Sequence, residues 1–198
     1  MGQGKWLRRL GKLLLLISLC LGTYPAAAGA PPAGRLILVQ GEVQVRRAGA
    51  MQWEPARLHQ ELYEGDALRT GSASQAAVLC IDESQVRLNE RTLLILKSVA
   101  PSPRLRPAEV TPAAPKAPAT SIYQVPQGEI WLRNKREKFQ FELETPAATA
   151  TIRGTEINIR VGQDGAARVT LLEGSICLAN AYGEVCLQIG RASCRERV

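Results

Sequence analysis

Short apolar runs that alternate with polar residues dominate this chain. From Gly34 to Leu96 these runs recur at intervals of about ten residues, separated by clusters of Gly, Asp, Ser and Asn. In the segment 156–161 the alternation is complete, and Ile157, Ile159 and Val161 share one face. None of the runs is long enough for a helix. The pattern predicts an all-β fold with short strands in a sandwich or a β-roll-like arrangement.

The predicted strands fall into two groups. Those of the first half are 36–39, 42–46, 67–69, 75–81, 86–88 and 93–96; those of the second are 122–125, 129–132, 139–144, 150–152, 156–161, 167–172 and a hairpin, 175–179 with 184–189. A weak repeat, in which Gly and a polar residue precede an alternating strand, occurs at 39–45, 126–132 and 172–178. Because glycine inside a strand run marks a bulge or a corner, we expect the chain to turn at Gly41, Gly128 and Gly174 from one sheet to another.

A proline-rich stretch, residues 100–121, separates the two halves. Proline lacks the amide hydrogen that a strand ladder needs, so this stretch favours extended, solvated conformations. It is predicted to be an insertion at a loop tip; the alternative is a tether or docking segment. A long surface insertion adds little loop entropy. Residues 34–99 and 122–190 are therefore predicted to be the two halves of one domain.

The N-terminus has the layout of a signal peptide. Residues 1–12 carry four cations and no anion, and a ten-residue apolar run and a small-residue stretch follow. We predict a signal peptide at residues 1–28, with cleavage after Ala28 or Ala30. Ten helical residues rise only about 15 Å against a hydrocarbon core of about 30 Å, so no stable membrane span is expected. The mature chain is predicted to be periplasmic or secreted.

Cys20 raises the alternative of a lipid anchor, because an apolar run that ends in cysteine can be a lipidation site. Leu19 stands where a small residue would be expected, and this disfavours the alternative. At the other end, residues 191–198 lose the strand alternation. They are predicted to be a non-native or truncated tail.

The formal charge of +7 does not indicate nucleic-acid binding. Four of the positive charges lie in the predicted leader and a net +2 lies in the last eight residues, which leaves about +1 for the body. A nucleic-acid site requires Lys and Arg clustered on one face. The charge distribution therefore predicts no nucleic-acid partner.

Two cysteines lie in the predicted hairpin. If Ile176 faces Leu187, all apolar side chains of the hairpin share one face, and Cys177 then lies opposite Cys186. Opposed cysteines in an oxidising compartment are disulfide candidates. The alternative is two reduced thiols that fill small positions. A zinc site is disfavoured because no histidine accompanies them.

Catalytic signatures are missing from the sequence. The single histidine, His59, lies in a polar stretch without a nearby nucleophile motif, and we expect it to face solvent in a loop. Glu61, Glu64 and Asp66 cluster as turn residues do. Neither a phosphate-binding glycine loop nor a dinucleotide fingerprint occurs. The sequence predicts a protein that is not an enzyme and that has no cofactor and no metal site.

Three segments together resemble the FecR domain, which is named for a periplasmic regulator of iron-dicitrate transport: 65–71 (GDALRTG), 145–156 (TPAATATIRGTE) and 171–174 (LLEG). The order and spacing match from about 41 to 190. We interpret the motif residues as mainly architectural; they are Gly65, Asp66, Arg69, Thr70, Gly71, Thr145, Pro146, Arg153, Gly154, Thr155 and Gly174. Arg153 is expected to pair with a carboxylate such as Asp66 or Glu156, or to present its guanidinium to a partner.

The resemblance implies an extracytoplasmic all-β domain that acts by binding other proteins. In well-known members it relays the occupancy of an outer-membrane receptor to a cytoplasmic anti-sigma segment. Such regulators have a cytoplasmic segment and a transmembrane helix where this chain has its predicted leader. The sequence therefore indicates an exported module, as in members where the domain stands beside other domains.

Two functions are compatible with the sequence. The first is a protein-interaction or signal-sensing module of the cell envelope. The alternative is a module that binds an envelope polysaccharide or a small ligand, in which Trp131 and Trp53 stack against sugar. Trp131 is opposite in alternation to Ile130 and Leu132, so it is expected either to be exposed or to pack under the proline-rich stretch.

Overall fold

A computed structural model of the chain describes residues 31–100, 120–134 and 140–189. The predicted leader with Cys20, most of the proline-rich stretch, Phe139 and the predicted tail lie outside the described residues. The described segments form strands and turns, so the predicted all-β class is confirmed. Among them, no helix has the length and hydropathy that a membrane-spanning helix requires.

Thirteen strands are found in the described segments. They are β1 (Gly34–Gln40), β2 (Val43–Arg46), β3 (Glu54–Pro55), β4 (Glu61–Leu62), β5 (Ala67–Thr70), β6 (Gln75–Cys80), β7 (Gln85–Leu88), β8 (Leu93–Ser98), β9 (Ser121–Arg133), β10 (Gln140–Glu144), β11 (Thr149–Val161), β12 (Ala167–Asn180) and β13 (Gly183–Ile189). β3 and β4 were not predicted, because two residues are too few to show alternation. They pair with β2 and β1, respectively.

One continuous hydrogen-bonded sheet joins these strands in the order β13-β12-β11-β10-β9-β7-β6-β1-β4, and β8, β5, β2 and β3 branch from it. β9 is the strand that connects the halves, because it pairs with β7 and β8 from the first half and with β10 and β11 from the second. Strands on either side of the proline-rich stretch therefore bond directly to each other.

β9 is a single bent strand where the sequence predicted two. Its first part pairs with β8 and β10, and its second part, from Gly128 onward, pairs with β7 and β11. Gly128 has φ +99°, and the space that a Cβ atom would need is taken by Thr92. Glycine thus lets the strand bend where its neighbours change from β8 and β10 to β7 and β11, while its hydrogen bonding continues.

β11 and β12 also replace predicted pairs of strands. The register between them shifts between Arg153 and Glu156, next to Gly154. Gly174 of β12 has φ +95° and lies against the backbone carbonyl of Gly154. The two long strands therefore bend together at one corner, which is built from two of the segments that resemble the family motif.

A single core receives apolar side chains from both halves of the chain. Its largest fully buried members are Tyr123, Phe141, Leu36, Leu62, Leu68, Leu88, Leu94, Leu96, Ile130, Leu132, Leu143 and Ile152. Alternation along the strands accounts for this set, since successive side chains point to opposite faces. Many outward positions carry polar residues, among them Gln85 and Arg87 of β7 and Arg133 of β9.

A small polar cluster lies inside this core. The hydroxyl of Tyr123 donates to Oδ2 of Asp82 over 2.6 Å, and Oδ1 of Asp82 accepts from the backbone amide of Ser84 over 2.8 Å. Burial raises the pKa of Tyr123, and the nearby Cys80 and Asp82 raise it further. Burial and Asp82 likewise raise the pKa of the Cys80 thiol. Tyr123 and Cys80 therefore stay protonated at neutral pH.

Replacing Tyr123 with phenylalanine is expected to lower the free energy of unfolding by about 2 kcal/mol, because the fully buried Asp82 loses a hydrogen-bond donor. Tyr63→Phe is the matched control, since the Tyr63 hydroxyl bonds Glu61 on the exposed surface. That change should cost less than about 0.5 kcal/mol. Urea unfolding measures both, and equal losses would contradict a special role for the buried pair.

Candidate functional site

The outward side chains of β7, β9 and β11 form a continuous polar surface around one tryptophan. Strand register places Arg87 of β7 beside Trp131 of β9, and Trp131 beside Asn158 of β11. We call this surface the Trp131 face. Its members are Arg87, Glu129, Trp131, Arg133, Glu156, Asn158 and Arg160.

Trp131 is half-buried and held from two sides. Its Nε1 donates to Oε1 of Glu156 over 3.2 Å, and the guanidinium of Arg87 lies over the ring at 5.2 Å from the centroid. Glu156 also pairs with Arg133, with 3.5 Å between Oε2 and Nε. An indole fixed in this way on a rigid sheet loses little conformational freedom when a partner binds.

Glu129 anchors the other end of the face. Its carboxylate accepts from Arg160 over 2.8 Å and from Asn158 over 3.0 Å. The hydrogen bond from Arg160 lowers the pKa of Glu129 more than partial burial raises it, and bonds from Asn89 and Asn158 lower it as well. Glu129 is therefore ionised at neutral pH, and with three arginines and two glutamates the face carries one excess positive charge.

Trp53 lies over a different pair of strands. The guanidinium groups of Arg46 of β2 and Arg69 of β5 lie 4.9 Å and 4.3 Å from its ring centroid. Arg69 also donates to Oε1 of Gln44 over 2.7 Å. The two tryptophans thus contact different strands, and each ring has arginine against it. The predicted packing of Trp131 under the proline-rich stretch involves residues outside those described.

Asp66, a residue of the family motif, is buried and accepts three hydrogen bonds. Its donors are Nη1 of Arg47 at 2.7 Å and the backbone amides of Ala48 and Tyr63, each at 3.0 Å. Arg153 was expected to pair with a carboxylate such as Asp66 or Glu156, or to present its guanidinium to a partner. The structure instead shows it exposed and donating to Oε1 of Gln140 over 2.7 Å.

Other motif residues also bond to the backbone at turns. The hydroxyl of Thr70 donates to the carbonyl of Asn89 over 2.5 Å and accepts from the amide of Thr92 over 3.0 Å. Thr145, next to Pro146, closes its turn by donating to the carbonyl of Ala148 over 2.8 Å. The amides of Gly65 and Gly71 donate to Leu96 and Glu42, respectively. These contacts are architectural; the Thr155 side chain lies outside those described.

The hairpin of β12 and β13 has the register that apolar alternation predicts: Ile176 faces Leu187, and Leu178 faces Val185. Cys177 and Cys186 face each other, and the structure joins them in a disulfide of 2.06 Å. With Glu184 they form the one group of three potential metal ligands in the described segments. Each sulfur is bonded to the other, so neither offers a thiolate to a metal.

His59 is exposed in the turn between β3 and β4, as the sequence predicted for a loop histidine. Its φ is +64°, and its amide donates to the carbonyl of Leu36 over 2.9 Å. The residue therefore has a backbone role in a tight turn.

A family model described as FecR protein matches residues 66–177, which is more than half of the chain. The chain belongs to the FecR family. This confirms the resemblance that the three motif segments indicated. The contacts of Asp66, Thr70, Thr145 and Gly174 show what the FecR motif does physically, since each bonds or packs against backbone at a turn or corner.

Two solved structures are similar to this FecR chain. Both are of a protein described as a candidate anti-sigma factor from Parabacteroides distasonis ATCC 8503, at 17% sequence identity and a TM-score of 0.48. The alignment covers 62% of this chain and 50% of that one, so this chain spans about half the length of that protein. No curated protein matches.

Sequence reasoning singled out Trp131 but missed the charged residues around it. Arg87, Glu156 and Asn158 reach it only because β7 and β11 flank β9. The available signal was that charged residues occupy outward positions in all three strands. Alternation gives the face of each side chain, but it does not say which strands are neighbours.

Proposed function

We propose that this FecR-family chain is an exported, non-catalytic module of the bacterial cell envelope that senses a signal by binding a protein partner. The observation that carries the proposal is the Trp131 face, in which a half-buried indole is fixed among arginines on a rigid sheet. Tryptophan and arginine are the residues that most often dominate protein-binding surfaces. Export is supported by the leader pattern of the first 28 residues.

The charges of the face favour a partner that presents carboxylates around an apolar contact. Arg87 and Arg133 flank Trp131, and both are exposed enough to reach a second protein. Their charges are only partly compensated, because Glu156 pairs with Arg133 while Arg87 contacts the indole. Complementary charge at the rim raises the association rate and restricts partner choice.

The polysaccharide alternative fits the geometry less well. Stacking of a sugar needs an open aromatic face, whereas Arg87 lies over Trp131 and two arginines contact Trp53. The two rings also lie over different strands. A sugar would have to displace these guanidinium groups before it could stack.

In-cell photo-cross-linking from position 87 of the exported chain identifies the partner, and titration of the purified partner then gives its affinity. Trp131→Ala is expected to weaken binding about 30-fold, the loss typical of a central interface residue. Trp53→Ala is the matched control, since it removes an arginine-contacted indole from different strands. That variant should retain the parental affinity.

Three outcomes would contradict the proposal. Equal weakening by both variants would show that the partner does not bind specifically at the Trp131 face. Unchanged binding in Trp131→Ala would lead to the same conclusion. Cross-links to glycan alone, with glycan binding lost in Trp131→Ala, would replace the proposal with the polysaccharide alternative.

A further inference from the structure

β13 lies at one end of the sheet, and no strand of the described segments pairs with its outer edge. Among the described strands it pairs only with β12, and all seven of its residues are exposed. Two other strands at ends of the sheet, β3 and β4, are two residues long, and β3 includes Pro55. A short length, a proline or a lysine commonly blocks pairing at the edge of a sheet. β13 is seven residues long and contains neither proline nor lysine.

The apolar face of the sheet continues onto β13 but is no longer covered there. One row across the strands consists of Phe141, Ile152, Ile176 and Leu187. The first three are at most 1% exposed, whereas Leu187 is 47% exposed. Val185 and Ile189, on the same face of β13, are 62% and 49% exposed. An open edge therefore coincides with an apolar stripe.

An apolar groove adjoins this stripe at Val185. It has a volume of about 630 Å³, and its lining includes Ala150, Leu178, Tyr182 and Val185. A strand added to the edge would bond to the free backbone groups of β13 and would place its own apolar side chains beside the groove. Strand addition of this kind is a common mode of protein recognition.

We propose that β13 pairs with β13 of a second copy of this chain, in antiparallel orientation, so that one sheet runs through both copies. The two-fold axis of such a pair is perpendicular to the sheet. Both apolar stripes then lie on the same side, in the cleft between the two copies. The proposal concerns a surface separate from the Trp131 face and does not depend on the partner proposed for that face.

The sequence of β13 is complementary to itself. With the two-fold axis at Leu187, Leu187 faces its own copy and Val185 faces Ile189, so each apolar side chain has an apolar neighbour. The strand has one charged residue, Glu184. In this register the two Glu184 residues are six positions apart, about 20 Å at the rise of a strand. That exceeds the screening length of about 8 Å at physiological salt, so they do not repel strongly.

Sedimentation equilibrium of the purified exported chain between about 1 and 100 μM tests the pairing, because a one-strand interface is small and a dissociation constant in the micromolar range is expected. Leu187→Lys places two like charges next to each other at the two-fold axis and should weaken the dimer at least about 10-fold. Leu79→Lys is the matched control. Leu79 is also 47% exposed, but it lies in β6, which has neighbours on both sides. It should leave the dimer unchanged.

A photo-reactive residue in place of Gln188 tests the register, and a cross-link to β13 of the second copy supports it. Far-ultraviolet circular dichroism confirms that both lysine variants remain folded. A chain that stays monomeric across the range overturns the proposal, as does equal weakening by both variants. Cross-links from position 188 to residues 101–119 or 190–198 of the same chain, or to a different protein, also overturn it and identify what covers the edge.

Discussion

Gly174→Ala is expected to lower the free energy of unfolding by about 4 kcal/mol. Gly174 has φ +95°, which alanine rarely adopts, and the added Cβ would collide with the backbone carbonyl of Gly154. Backbone atoms cannot turn aside as a flexible side chain can. The corner shared by β11 and β12 would have to open to admit the methyl group.

Gly49→Ala separates the cost of a positive φ from the cost of the collision with the Gly154 carbonyl. Gly49 also has a positive φ, +74°, but a Cβ atom there would have no neighbour within 4 Å. The free energy of unfolding of this control should fall by about 1 kcal/mol, the cost of the positive φ alone. Guanidinium unfolding followed by tryptophan fluorescence measures both variants. Similar losses at the two positions would show that the contact with Gly154 does not constrain the corner.

Asp66→Ala is expected to lower the free energy of unfolding by about 3 kcal/mol, because three hydrogen-bond donors lose their acceptor at a residue that is 2% exposed. Asp66→Asn should lower the free energy of unfolding by less, because the amide keeps one oxygen that can accept from a backbone amide. Its NH₂ group cannot accept, so a donor that faced the second carboxylate oxygen loses its acceptor. The order Ala, then Asn, then the parent is the expected ranking of increasing stability in urea.

Asp164→Ala is the exposed counterpart for this series. Asp164 also accepts a backbone amide in a turn, that of Ala166 over 3.1 Å, but it is exposed to water. Its loss should therefore cost no more than about 1 kcal/mol. If Asp66→Ala proves as mild as Asp164→Ala, the buried carboxylate does not organise the turn.

The contacts of Asp66 also bear on how far the domain extends. The FecR match begins at Asp66, whereas all three of its donors, on Arg47, Ala48 and Tyr63, precede the matched segment. β1 contributes to the same sheet through β6. We therefore propose that the folding unit includes residues 34–65 as well as the matched segment, in line with the domain boundaries predicted from the sequence.

Most motif residues lie apart from the proposed binding surfaces. The exception is Glu156, the last residue of the segment 145–156, which bonds Trp131 in the Trp131 face. Asp66, Thr70 and Thr145 bond to backbone at turns, and Gly174 packs against backbone at a corner. Arg69 and Arg153 instead bond to the side chains of Gln44 and Gln140. Trp131 and the apolar residues of β13 belong to no motif segment, and their side chains reach the surface.

Alternation alone was sufficient for several features. It determined the all-β class, the core face of each long strand and the register of the β12–β13 hairpin, in which Cys177 lies opposite Cys186. These features depend on residues close in sequence, and the period of two is a local property of the backbone. The predicted strands of the first half are accordingly close to those observed, except for two-residue β3 and β4.

Tertiary structure decided which strands are neighbours. A glycine in a strand pattern is compatible with a break or with a bend. Strand pairing on both sides of Gly128 and Gly174 shows that β9 and β12 continue through the corner. Arg153 bonds Gln140, and Arg87 reaches Trp131, because of strand order. That order depends on contacts between residues far apart in sequence, which a local pattern does not contain.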